Sequence, residues 1–246
     1  MTTPTHRALG TTFLLVAPAL VAAGLVGCGE GDKFAYKPKP AYSGKAVSLP
    51  AVPTLPKKPK KNADGSYTVW GAIHDLRSRV HGPKLVAQES VSITGYIIKT
   101  NLGDAPPCAV HKGGKADGKE CEKTPPPIPA FWIADDKASP PSEAIAVMGW
   151  ASNFAKIYDA IEKYKKPATG ADKDKPVVAQ DDMWSVAIPN PIPAKDAKVK
   201  VTGKYGTTFT LASQGMESNP LTGIMTYKEV TYLEPPPVPG TLPGMK

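Results

Sequence analysis

Apolar positions along this 246-residue chain fall into a few short patterned stretches separated by long segments with none. Alternation with a period of two, the mark of a half-buried strand, runs through Val91 to Lys99 (VSITGYIIK). There Val91, Ile93 and Ile97 share one face, and Gly95 between them predicts a bend or bulge. Lys198 to Tyr205 (KVKVTGKY) repeats the pattern, with Val199 and Val201 inward and Lys198 and Lys200 outward. Further strands are predicted at Phe131 to Ala134, Ala144 to Ala151, Met183 to Ile188 and Gly223 to Leu233. The last slips its alternation near Lys228-Glu229, as a β-bulge would make it do. One stretch has helical spacing instead: Phe154, Ile157, Tyr158, Ile161 and Tyr164, with Ser152 as the expected N-cap. Lys163, Lys165 and Lys166 suit the C-terminal end of its dipole, and Pro167 stops it. Upstream, Tyr67 to Trp70 reads as a short strand and Ala72 to Val80 as a short helix. The segments Thr100 to Pro129 and Gly206 to Leu221 read as long loops.

A different pattern opens the chain. His6 and Arg7 lead into Phe13 to Gly27, fifteen residues without a charge that end in small residues. This is the layout of a secretory signal peptide. A membrane span needs roughly 20 apolar residues and tolerates Pro18 less well. The run ends in Leu25-Val26-Gly27-Cys28, which resembles the lipobox at which bacterial lipoproteins are cleaved and acylated. That resemblance implies a signal peptide over residues 1–27, a lipid-bearing Cys28 and residence in the cell envelope. Gly29 stands where the inner-membrane retention signal of such proteins has Asp, so it also implies the outer membrane. An ordinary signal peptide cut nearby, or an apolar N-terminus on a soluble protein, would account for the run without lipid.

Loss of residues 1–27 would leave 219 residues, enough for one sizeable core or two small ones. It would also leave Cys108 and Cys121 as an even pair in an oxidising compartment, where a disulfide is expected. Residues 28–61 are rich in Pro and Lys and lack hydrophobic periodicity, which predicts a disordered, extended tether. At ~3.1 Å per residue its contour reaches on the order of 100 Å. Residues 29–61 carry eight lysines against Glu30 and Asp32, whereas residues 62–246 carry twenty-one Lys/Arg against twenty Asp/Glu. The sequence pI near 9.2 therefore belongs to the tether. Nucleic-acid binding needs a concentrated basic surface on the folded part and is not expected here. The tether lysines read as a solvated spacer or as contacts to anionic headgroups. A single domain is expected over residues 62–234, followed by a disordered Pro-rich tail, 235–246.

The order strand, long loop, strand, strand, helix, strand, strand resembles the OB-fold, a five-stranded Greek-key barrel with a helix between its third and fourth strands. VSITGYIIK and VKVTGKY carry the alternating-then-Gly text of the first and fourth strands of such barrels. The fold expected is thus mainly β with one prominent helix: an OB-like barrel with an N-terminal extension and an extra strand at 183–188. A different small barrel or an α+β sheet is the alternative. By resemblance, ligands would meet Phe131, Trp132, Trp150, the loop holding Cys108 and Cys121, and the loop 206–221. Phe131 and Trp132 are strand neighbours and must face opposite ways. One of them therefore either stacks on a ligand or packs under an added element such as 167–193 with Trp184; packing is expected, because exposed tryptophan is costly.

Catalytic motifs are sparse. Cys108, His111, Asp117 and Cys121 are all possible metal ligands but lack a usual zinc spacing, so no metal is expected. Gly113-Gly114-Lys115 lacks the upstream Gly and the following Ser/Thr of a phosphate loop. Asp172-Lys173-Asp174 lacks the Gly and terminal Glu of a calcium loop. Asp135-Asp136 reads as turn chemistry before a carboxylate pair, and His74-Asp75 and His81 accompany no nucleophile motif. The expectation is a non-enzymatic, lipid-anchored envelope protein that binds protein or glycan, without a cofactor. A hydrolase or transferase using Asp135, Asp136 or His74, and a structural spacer, are the rivals.

Overall fold

The computed structural model describes Gly44 and residues 58–76, 90–114, 119–166, 177–209 and 217–245. The signal segment, Cys28, the tether as far as residue 57 apart from Gly44, residues 77–80 of the first predicted helix, His81, Lys115, Asp117 and Asp172 to Asp174 lie outside the described residues.

The chain is mainly β. Its strands are β1 (Tyr67–Thr68), β2 (Val91–Thr100), β3 (Ala130–Ala134), β4 (Ile145–Met148), β5 (Ala179–Asp181), β6 (Val186–Ile188), β7 (Lys198–Gly206), β8 (Thr208–Phe209), β9 (Glu217–Ser218) and β10 (Ile224–Glu234). Two α-helices join them: α1 (Val69–Gly71), which continues as a π turn over Ala72–Leu76, and α2 (Phe154–Lys165). Six strands form one mixed sheet in the order β1-β2-β3-β4-β10-β7, and β2 pairs with β7 as well. Each of β2, β3, β4, β10 and β7 therefore has a partner on both edges. Four of those five pairings are antiparallel, and the β4–β10 pairing is parallel.

Alternation decides which side chains these strands enclose. Ile93 and Ile97 of β2, Phe131 and Ile133 of β3, Ile145 and Val147 of β4, Val199 and Val201 of β7 and Met225 of β10 share one buried core. The expected slip in β10 is present: its register against β7 shifts between Tyr227 and Glu229. Helix α2 caps that core with Phe154, Ile157 and Ile161. Its N-cap is Asn153, one residue beyond the expected Ser152, and Asn153 Oδ1 accepts the Lys156 N–H at 2.8 Å. Ser152 instead gives its backbone N–H to Asp181.

Other expectations need correction as well. Tyr67 to Trp70 is a strand only as far as Thr68. The Thr68 hydroxyl accepts the Gly71 N–H at 2.9 Å and turns the chain into α1. Lys60 and Lys61, assigned to the tether, belong to the fold. Lys61 bridges Tyr67, and Lys60 offers its carbonyl to the Thr68 N–H at 3.0 Å, so they supply acceptors along β1. The tail is also placed as far as Met245. Gly240 donates to the Ile192 carbonyl at 3.0 Å, and Leu242 is buried in the core. A proline-rich strap has little backbone freedom left to lose, so one buried leucine goes far toward holding it.

Candidate functional site

The residues the barrel resemblance offers to a ligand are largely covered. Phe131 and Trp150 are both fully buried, with ring centroids 6.1 Å apart, and neither can stack on a bound molecule. Trp132 points the other way, as its strand neighbour must. It is half-buried against a second apolar cluster made of Ala130, Ala146, Met148, Ile224 and Phe209. Trp184 packs on that cluster too and meets Phe209 edge-on at 5.7 Å. The outer face of β3 and β4 is therefore occupied by the protein's own aromatics, delivered by the β5–β6 and β8–β9 hairpins.

Sequence reading gave no weight to Asp181, which positions the first of those hairpins. Its carboxylate is completely buried and accepts N–H groups from Ser152 (2.6 Å), Met183 (3.0 Å) and Trp184 (3.1 Å). Three donors compensate the loss of water around the charge. The only hint in the sequence is an Asp two residues before the turn at Met183, a common turn signal that carries no mark of burial.

Cys108 and Cys121 form a disulfide, with Cα atoms 5.7 Å apart. The loop that it closes is docked on α2. Asp159 accepts the N–H groups of Gly113 (3.0 Å) and Gly114 (2.8 Å), and a Cβ on Gly114 would lie 2.7 Å from the Lys156 backbone. The Gly-Gly pair thus allows a close approach of loop to helix, a use its sequence did not announce. His111 Nδ1 donates to the Lys112 carbonyl. Among the described residues no cluster of His, Cys, Asp and Glu is arranged to hold a metal ion.

Asp135 is engaged as well. Its two carboxylate oxygens accept the N–H groups of Val69 (2.7 Å) and Trp70 (2.9 Å), which open α1 and would otherwise lack partners. Asp136 is exposed beside it. Asp135 and Lys58 line two adjoining hollows. One, of about 330 Å³, is also walled by Trp70, Ile73, His74, Glu143 and Leu221. The other, of about 290 Å³, is walled by Thr94, Tyr96, Asp136 and Lys198. In the first, His74 stacks on Trp70 with centroids 4.4 Å apart and donates from Nδ1 to the Trp70 carbonyl at 2.8 Å. Leu221, with 73% of its surface exposed, lines the same hollow, and Ser139 and Ser142 add hydroxyls. The structure thus brings His74 and Asp135 to one hollow and keeps Phe131, Trp132 and Trp150 out of it. Trp70, read only as the end of a strand, is the residue that sequence analysis missed. Its i, i+4 spacing to His74 was the available signal, but it becomes legible only once that segment is known to be helical.

Among the described residues, no helix is long and apolar enough to cross a membrane. No protein-family model and no curated protein sequence matches the chain.

Proposed function

We propose that this protein is an exported, lipid-anchored component of the bacterial envelope, carried on Cys28, whose folded part is an OB-like barrel serving as a non-enzymatic binding module. The cyclic pairing β2-β3-β4-β10-β7, with its one parallel contact between β4 and β10 and α2 between β4 and β7 in the chain, supports the barrel reading. The lipobox-like Leu25-Val26-Gly27-Cys28 supports the anchor.

The binding reading is carried by one observation: the outer face of β3 and β4 is filled from within, while the hollow beside Trp70 and His74 is open. Ligand binding is therefore assigned to that hollow. An aromatic–imidazole pair ringed by hydroxyls, one ammonium and two carboxylates suits the apolar faces and hydroxyl edges of envelope glycan. The hydrolase rival loses ground because Asp135, its natural base, is occupied by two backbone donors.

Co-sedimentation with purified peptidoglycan sacculi tests the binding. Saturable retention that falls about tenfold or more in Trp70→Ala is expected, since losing a buried contact worth about 1.4 kcal/mol is a tenfold change. No retention, or retention indifferent to Trp70→Ala, rejects it. The anchor is tested separately: cells fed labelled palmitate should label the wild type and not Cys28→Ala.

A further inference from the structure

The outer surface of β2 and β3 carries a second chemistry. Two aromatic rings on these neighbouring strands lie close to ammonium groups. Lys99 Nζ stands 5.1 Å from the Trp132 ring centroid, and Lys137 and Lys198 Nζ each 5.1 Å from that of Tyr96. Register makes the cluster: Lys99 lies opposite Trp132 across β2–β3, and Tyr96 lies opposite Lys198 across β2–β7. Lys58 joins them along the hollow beside Tyr96.

The nearby acids do not cancel this charge. Asp135 is occupied by the N–H groups of α1, Asp64 is paired with Lys200, and Asp75 is paired with Lys60. Glu234 lies 3.9 Å from Lys198, and Asp136 is exposed on the rim. Among the described residues Lys99 and Lys137 form no ion pair. A near-neutral folded part thus gathers cations over half-exposed rings, Lys99 and Lys137 with no ion-pair partner among the described residues, and Lys137 and Lys198 share one ring although like charges repel.

We infer that this face docks on an anionic phospholipid surface. Tyr and Trp rings with an apolar body and a polar edge, with lysine ammonium groups held over them, are suited to the headgroup layer. Charge complementarity selects the partner, because each lysine brought to an anionic bilayer raises partition about fivefold. The face also adjoins Lys58, which lines the hollow with Tyr96 and Lys198 and belongs to the last residues of the basic segment 29–61. The inference rests on the lipid-anchored reading for the bilayer's proximity, which raises its effective concentration.

The test uses the full chain carrying Cys28→Ser, which binds no acyl group, so its result is independent of whether Cys28 is acylated in cells. Partition onto phosphatidylglycerol-rich vesicles is compared between that chain and the same chain with Lys99→Ala, Lys137→Ala and Lys198→Ala. Tether and apolar N-terminus are common to both, so the difference reports the face alone. A loss on the order of 100-fold is expected, absent on phosphatidylcholine vesicles and reduced by added salt. Retention of binding when the three lysines become arginine excludes misfolding as the cause. Bromine-labelled lipid should quench the tryptophan fluorescence of the wild-type face, and less so after Trp132→Phe. Equal partition of the triple-alanine chain overturns the inference and leaves the tether as the only lipid contact. So does wild-type binding to soluble dextran sulfate that the triple-alanine chain has lost while its vesicle binding is unchanged, because the face would then serve a soluble polyanion.

Discussion

Asp135 and Gly114 show how little of a side chain's role lies in its identity. The adjacent carboxylates Asp135-Asp136 suggested turn chemistry or an acid–base pair, and Asp135 instead closes the N-terminus of α1 from sixty-six residues away. That distance explains why the cap was not legible: capping signals are read within a few positions, and this one comes from the residue that follows β3. Asp135→Ala should lower the unfolding free energy by about 1–2 kcal/mol, measured as a shifted urea midpoint at unchanged slope. An Asp135→Ala protein of unchanged stability would mean that α1 finds other acceptors. Gly114→Ala places a Cβ against the Lys156 backbone and should cost about 1–3 kcal/mol while lowering hydrogen-exchange protection in residues 107–114.

Among the larger pieces, α2, β2 and β7 were legible because each buries one regular face, and regular burial writes its period into the sequence. The short pieces were not. β5, β8 and β9 span two or three residues each, too few for any period, and exist because hairpins fold over the β3–β4 face. The disulfide loop also belongs here. Its cysteines are 13 residues apart, so their covalent closure removes chain entropy from the unfolded state. Cys108→Ser together with Cys121→Ser should reduce stability by about 3 kcal/mol on that model, read by calorimetry with and without reductant. Reductant should have no further effect on the double variant.

Across the molecule, three tyrosines fasten the 187–191 segment to β10 and α2. Tyr164, Tyr227 and Tyr232 donate to the carbonyls of Ile188, Ala187 and Pro191 at 2.6, 3.0 and 2.7 Å. Burial, and for Tyr227 and Tyr232 also the neighbouring tyrosines, raises all three above the ordinary tyrosine value of 10.0. The folded state thus favours the neutral phenol. Its stabilising contribution is complete below pH 10.0, where unfolded tyrosines are also neutral, and is lost as pH climbs toward the folded-state values. Urea midpoints should be flat up to that pH and fall above it, more steeply in wild type than in Tyr227→Phe with Tyr232→Phe. A midpoint insensitive to alkali would contradict the assignment. Local order in the chain was enough for the long strands, the single amphipathic helix, the bulge in β10 and the pairing of Cys108 with Cys121, because periodicity, turn residues and cysteine count act over short range or by composition. Which aromatics are covered, which carboxylates are occupied and where lysines meet rings depended on how the strands closed upon one another. Those contacts join residues remote in the chain, and their energies exist only after packing brings the partners within a few ångströms.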